Sequence, residues 1–379
     1  MKKMRKHKNF KLLGGTSQSG YILILTLMMM ALGTAIITKL YYQVTGYVPV
    51  ADLVVKREKA KMLALGGVQM AISRLSGPKE SKNVSTDESI ESVKRPPQAV
   101  FLERILPGLN RWDKVQLQES IDGLDGEIKI CLSCEEGKIN LNQWYDFTKH
   151  EFKGAVKPAP GSESEDSGTV LALNYIFNKL AALTKDQVDP KVMMRDLERF
   201  LAERQQPLYD ITELLILPSW KYFQNYVFYV PPVDSEEDSV QLHRPIYLTD
   251  LFTTYGRSSD LQPWLFSDSI LAGLGFSRAV SDDIIKREQA VAEWTKQFQP
   301  QTNWLSEWGK TLGLVYSSDL SNVPNDLVAF FDNRFNPQFF SVIAQGQVGQ
   351  VVQRVYAIIK KQPKNKAGIQ YKIEKLYWI

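Results

Sequence analysis

The chain has 379 residues, 44% of them hydrophobic and 11% aromatic, with a formal net charge of +4. That length leaves room for two or three folded regions, and that composition excludes a disordered tail. The positive balance is local. Lys2, Lys3, Arg5, Lys6, Lys8 and Lys11 crowd into the first twenty residues with no acid, and without them the remainder stands at −2, so no basic footprint for nucleic acid is left.

Behind this leader, Tyr21 to Thr38 form eighteen residues without a charge. At ~1.5 Å per residue they cover about 27 Å of helix, close to the thickness of a bilayer's hydrocarbon core. The basic side is expected to stay cytoplasmic and everything after Lys39 to be exported. A cleavable secretory signal would place small residues after the apolar run, yet Thr38-Lys39-Leu40-Tyr41-Tyr42 follows it. The small residues Ser17, Ser19 and Gly20 precede it instead. A bare signal anchor stands as the alternative.

Tyr42 to Ser76 continues the helix, with a kink expected near Gly46 and Pro49. Leu65, Val68, Ile72 and Leu75 recur at helical spacing and predict a stripe for a partner surface. Residues 77–98, with three prolines, read as a loop, and a short amphipathic piece covers 101–109. Lys114–Ile121 and Glu127–Cys134 predict two strands joined by the Gly- and Asp-rich turn 122–126. Gly137-Lys-Ile-Asn-Leu-Asn142 extends this β region, and residues 157–168 form a second soft segment.

The pattern then becomes helical. Leu173, Ile176, Leu180 and Leu183 make one stripe, and Val192, Leu197 and Leu201 belong to the next helix. Asp210 and Glu213 have capping-box spacing. Leu214–Tyr229 predicts core, and Leu248–Gly256 a strand or hairpin edge between two helical groups. The second group takes in 261–274, 279–298 and 304–314, with 326–332 as a short helix. Three strands close the chain: 339–344, 351–359 after a turn at 345–349, and 370–379.

Cys131 and Cys134 are the only cysteines. Two ligands fall short of a structural zinc site, and a strand is the wrong setting for a thioredoxin-like motif. A local disulfide and two quiet thiols both remain open. There is no H-E-x-x-H, no G-x-S-x-G and no phosphate-binding loop, so no catalytic residue is nominated. A calcium ion is the one cofactor considered, at Asp234, Glu236, Glu237 and Asp238 or at Glu163, Glu165 and Asp166. Neither patch has EF-hand spacing, and no ligands are assigned.

The order of basic leader, Gly20 and apolar helix resembles the class III signal of type IV pilins and type II secretion pseudopilins. Three further stretches, Gly137–Asn142, Pro207–Pro218 and Phe339–Gly349 with the strands after it, resemble the K-type minor pseudopilins (general secretion pathway protein K). Leu248–Tyr255 resembles the connection between that family's two SAM-like helical subdomains. Two departures stand out. Leu261-Gln-Pro-Trp replaces the family's second N-x-N-T-A type segment, and Cys134-Glu-Glu136 stands where an acid and a serine often precede G-K-I-N-L-N.

The resemblance implies an α+β fold: a transmembrane and stem helix packed on an antiparallel sheet, interrupted by an all-α insertion. The expected divisions are a leader at 1–20, the helix at 21–76, and the first part of the sheet domain at 77–145. SAM-like subdomains follow at 146–247 and 248–335, and closing strands at 336–379. It implies cleavage by a prepilin peptidase between Gly20 and Tyr21, with N-methylation of Tyr21. Leu25 stands where most pilin-like subunits carry a Glu, a replacement typical of the subunit at the filament tip. Implied partners are the other minor pseudopilins, the major pseudopilin, the prepilin peptidase and the inner-membrane secretion platform. The implied location is the bacterial inner membrane, with the C-terminal domain periplasmic and no enzymatic activity. A type IV pilus tip subunit and a signal-anchored periplasmic binding protein are the alternatives.

Overall fold

The computed structural model describes residues 17–76, 96–154, 168–185, 187–230, 245–256, 259–276, 291, 294–299, 302–316, 319–332, 335–365 and 368–379. The sequence readings for the loop at 77–95, the soft segment at 157–167, both acidic patches and most of the helix at 279–298 lie outside those residues. The chain divides into two compact units, Met1–Glu58 and Lys59–Ile379. A single helix, Ser17–Ser76, supplies residues to both, and it includes Pro49 without a break.

The second unit is built on a five-stranded antiparallel sheet. Its strands are β1 (Trp112–Leu117), β2 (Gly126–Cys134), β7 (Phe339–Val348), β8 (Val351–Asn365) and β9 (Gly368–Trp378), in that spatial order. Between β2 and β7 the described residues form four short strands, of which β3 (Ile139–Asn140), β4 (Tyr145–Asp146) and β5 (Glu151–Phe152) come first. A fourth, β6 (Phe252–Thr253), lies among the helices Gly168–Leu183, Pro190–Ala202, Asp268–Gly273 and Trp304–Tyr316. Strands more than two hundred residues apart in sequence therefore pair directly, Glu127 opposite Gln347 and Cys134 opposite Phe340.

Alternation along the sheet assigns each side chain a face. Ile128, Ile130, Cys134, Phe340, Val342, Ala344, Val355, Ala357 and Ile359 join the main core with Ala64, Val68, Ala71 and Leu75 of the helix. Cys131, Phe339, Ile343, Tyr356 and Ile358 form a second cluster with Trp112, Phe228, Tyr229, Tyr255 and Tyr377. Both faces of the central strands are thus covered, which is why Phe339-Phe-Ser-Val-Ile-Ala344 reads as a run and not as an alternation. The α+β fold, with the long helix packed on an antiparallel sheet, is as expected.

Several local readings are corrected. Of the expected stripe, Val68 and Leu75 are buried, whereas Leu65 and Ile72 are only half-buried; Ala60, Leu63, Ala64, Gly67 and Ala71 complete the buried face of the helix. Small residues win this face because helix and sheet approach closely. A Cβ on Gly67 would lie 2.9 Å from the Ala344 Cβ, and one on Gly346 only 2.1 Å from the Ala60 carbonyl oxygen. Gly346 was read as part of a turn at 345–349. It lies inside β7, and the turn is Gly349-Gln350 between the paired Val348 and Val351, with Gly349 at φ +59°.

The strand expected at 114–121 ends at Leu117. Asp122 Oδ2 accepts from the Gln118 amide at 2.9 Å, which favours a short helical turn at Glu119–Asp122. The segment 137–142 contributes only Ile139 and Asn140 as a strand, and these pair in parallel with Phe252 and Thr253, outside the main sheet. The helix read across 261–274 is interrupted. Pro263–Leu265 is a 3₁₀ turn, and Ser267 then caps Asp268–Gly273 by accepting from the Ile270 amide at 3.2 Å. Asp210 and Glu213 do form the expected capping box, on the 3₁₀ helix Ile211–Ile216.

Candidate functional site: an apolar helix and a buried polar junction

From Tyr21 to Val55 every side-chain position is exposed except the partly covered Gly33. Tyr21 is 68% exposed and Leu25, one helical turn later, 48%. Within this stretch the charge-free run from Tyr21 to Thr38, rich in Ile, Leu and Met, is unstable in water and matched to hydrocarbon. The threonines here suit the same medium. Thr26 Oγ1 donates to the Leu23 carbonyl at 2.9 Å, Thr34 to Met30 at 3.0 Å and Thr38 to Thr34 at 2.7 Å. Each hydroxyl is satisfied within its own helix, as a lipid environment requires. One helix is therefore long and apolar enough to serve as a single-pass anchor. Gly20 lies within the helical span, and no carboxylate stands at position 25.

The second feature is a polar junction where β2 leaves the sheet. Lys138 Nζ lies 2.5 Å from Glu135 Oε1, with both side chains almost fully buried. Lys138 also donates to Ser341 Oγ at 2.9 Å, and Thr253 Oγ1 donates to Glu135 Oε2. Glu136 Oε1 accepts from the amides of Gln338 at 2.9 Å and Phe339 at 3.0 Å, and Cys134 Sγ lies 3.2 Å from Oε2. Asn142 accepts from the Leu208 amide and donates to its carbonyl, both at 2.8 Å. Asn140 donates to the Tyr255 carbonyl at 2.7 Å. Gly137 sits so close to Leu265 that a Cβ would fall 1.9 Å from its carbonyl oxygen.

Residues 134–142 thus fasten the sheet, the helical segment and the closing strands to one another. Burial pushes the Glu136 carboxyl up to about 7, although hydrogen bonds from Cys134, Phe339 and Gln338 oppose the shift. Burial likewise raises Asp250 to about 6; Lys138 opposes this, while Asp268 and Glu135 add to it. The contacts of this junction hold neighbouring segments in place. Its carboxylates accept from neighbouring protein groups, and the buried thiols are held well above their ordinary range by desolvation, so neither is a ready nucleophile.

Cys131 and Cys134 are both free and buried. Three residues apart on one strand, they point to opposite faces, Cys131 into the aromatic cluster and Cys134 into the main core. The disulfide reading is therefore set aside in favour of two quiet thiols. The Glu135–Lys138 pair was missed in the sequence, although opposite charges three residues apart at the end of an apolar strand were a visible signal. Among the described residues no group of three or more His, Cys, Asp or Glu side chains is placed to hold a metal.

No protein-family model matches the chain, and no curated protein sequence matches it. Among solved structures it is similar to a chain of the crystal structure of the GspK-GspI-GspJ complex from the type 2 secretion system of enterotoxigenic Escherichia coli. The identity is 12%, the TM-score 0.38, and the match covers 89% of this chain and 99% of that one. A likeness at this level leaves role, partners and location to be argued from the chain's own residues.

Proposed function

We propose that the chain is a minor pseudopilin of the K type, anchored by its first helix in the bacterial inner membrane, with its sheet-bearing unit in the periplasm. It joins other minor pseudopilins at the tip of a pseudopilus, starts assembly on the membrane platform, and is followed by the major pseudopilin. A prepilin peptidase cuts after Gly20, and the new amine on Tyr21 is methylated. The subunit is structural and has no catalytic cycle of its own.

The observation that carries this reading is the exposed, uncharged run from Tyr21 to Thr38 in the long first helix, behind a basic leader that ends in Gly20. Such a helix needs either lipid or sister helices around it. Leu25 fits a subunit with no neighbour above it, because a carboxylate in an apolar stem is costly without a partner charge. Over three hundred further residues follow the helix, more than a repeating subunit requires, so the end of a filament is the natural place for them. The divisions at 146–247 and 248–335 are offered as its two SAM-like subdomains.

Leu25→Glu tests the tip assignment. The variant should insert in the membrane as the wild type does but should impair secretion and recovery of the minor-subunit complex. Unchanged secretion would remove the tip role and leave a plain anchored protein, or a pilus subunit, as the better reading.

A further inference from the structure

The two outer strands of the sheet differ in how their charges are met. On β1, Asp113 pairs with Arg74, and Lys114 Nζ lies 3.0 Å from Glu127 Oε2. On β9, Glu374 lies 3.7 Å from Lys360, and Lys375 lies 3.6 Å from Asp210. Lys372 is left over: it is exposed, and its side chain has no ionic, hydrogen-bonding or aromatic partner among the described residues. It stands directly opposite Lys360 of β8, and like charges in that position repel. We propose that the outer side of β9 is a docking edge for an extended segment of another protein, which adds to the sheet as a sixth strand and brings a carboxylate to Lys372. The proposal does not depend on the role assigned to the apolar helix.

Among the described residues β9 pairs with β8 alone. In an antiparallel strand every second residue turns its N–H and C=O away from the neighbour, so the outer side of β9 presents donors and acceptors without a strand to take them. Gln370, Lys372, Glu374, Leu376 and Trp378 are exposed along it. A lysine and a bulge on such a strand usually keep other strands away, and β9 has both, since its register with β8 shifts between Ile358 and Ile359. Beyond that shift the protection ends. Leu376 and Trp378 are 38% and 46% exposed, on the face they share with Ala357 and Val355 opposite them.

Lys372 lies on the other face, because Lys360 opposite it alternates with the core residue Ile359. An added strand would therefore cover Leu376 and Trp378 with apolar side chains on one face and reach Lys372 with an acid on the other. In this mode of recognition backbone pairing supplies the affinity, and the alternating side chains supply the choice of partner. A second copy of the chain suits the edge less well. It would bring another unpaired Lys372, while its Glu374 is already engaged with Lys360.

The test uses the full chain in a non-ionic detergent at low salt, with short acetylated peptides of alternating valine and threonine as probes. In one peptide an aspartate replaces the central threonine, and in its match a lysine does. The aspartate peptide should bind with a Kd below about 1 mM and should slow amide hydrogen exchange at residues 370–378. It should bind at least about threefold tighter than the lysine peptide. Lys372→Glu removes no side-chain contact, so it should melt as the wild type does while reversing that preference. Leu376→Ser is the second variant and should weaken both peptides by about threefold. The proposal fails if the aspartate peptide leaves exchange at 370–378 unchanged, if the two peptides bind the wild type equally, or if a folded Lys372→Glu keeps the wild-type preference. Protection of 370–378 without peptide, growing with protein concentration, would give the edge to a second copy and overturn the proposal as well.

Discussion

Two stretches of the same helix have opposite surfaces. Residues 21–55 carry large Leu, Ile, Met, Val and Tyr side chains that are exposed, whereas 60–75 carry Ala60, Ala64, Gly67 and Ala71 on a face that is buried. Their glycines differ in the same way. Gly33 and Gly46 have nothing near the position of a Cβ, while Gly67 faces Ala344 and Ile128. Bulk on a helix that its own chain leaves bare calls for a partner from outside, whereas smallness on a covered face records how near the chain's own sheet comes. The boundary between medium-facing and self-packed helix is thus written in side-chain size more than in hydrophobicity.

Substitutions can break this contrast, beginning with the largest effect. Gly346→Val would drive atoms into the Ala60 carbonyl and the Ala64 amide, 2.1 and 2.6 Å from a Cβ. Backbone cannot yield as a side chain does, so the loss should exceed about 4 kcal/mol and abolish cooperative unfolding of the sheet-bearing unit. Chemical denaturation followed by tryptophan fluorescence reads this directly. Lys138→Met leaves Glu135 buried and unpaired and should cost ~3–5 kcal/mol. Replacing both partners, with Glu135→Leu added, should recover part of that loss, because no lone charge then remains.

A pH series sharpens the picture at the junction. Glu136 is raised from 4.5 to about 7 and Asp250 from 3.8 to about 6, in each case chiefly by burial. The folded state therefore keeps protons that the unfolded state has released, and stability should fall as pH rises from about 4 to about 7. Glu136→Gln should flatten the upper part of that fall, as judged from denaturation midpoints across the range. The smallest effect belongs to Gly46→Ala. Nothing lies near its Cβ position, so unfolding of the sheet-bearing unit should change by less than about 0.5 kcal/mol.

Much of the architecture was legible because it depends on local pattern. The closing strands announced themselves through β-branched and aromatic runs, and Asp210 with Glu213 revealed a helix start through their spacing. What escaped depends on partners distant in sequence. Gly346 looked like a turn residue because its true constraint, the passage of Ala60, lies nearly three hundred positions earlier. Leu65 and Ile72 looked like the packing face because greasy residues draw attention, while close contact favoured the alanines. Residues 137–142 read as a longer strand because alternation cannot reveal that the available pairing partner, Phe252–Thr253, is only two residues long. The roles proposed for Gly20, Tyr21 and Leu25 were legible only as a resemblance.

The most direct measurement is intact-mass and N-terminal analysis of the protein recovered from the cells that make it. The account predicts loss of residues 1–20 and a methylated amine on Tyr21, with the apolar helix retained. A chain still beginning at Met1, or one lacking the helix altogether, would contradict it.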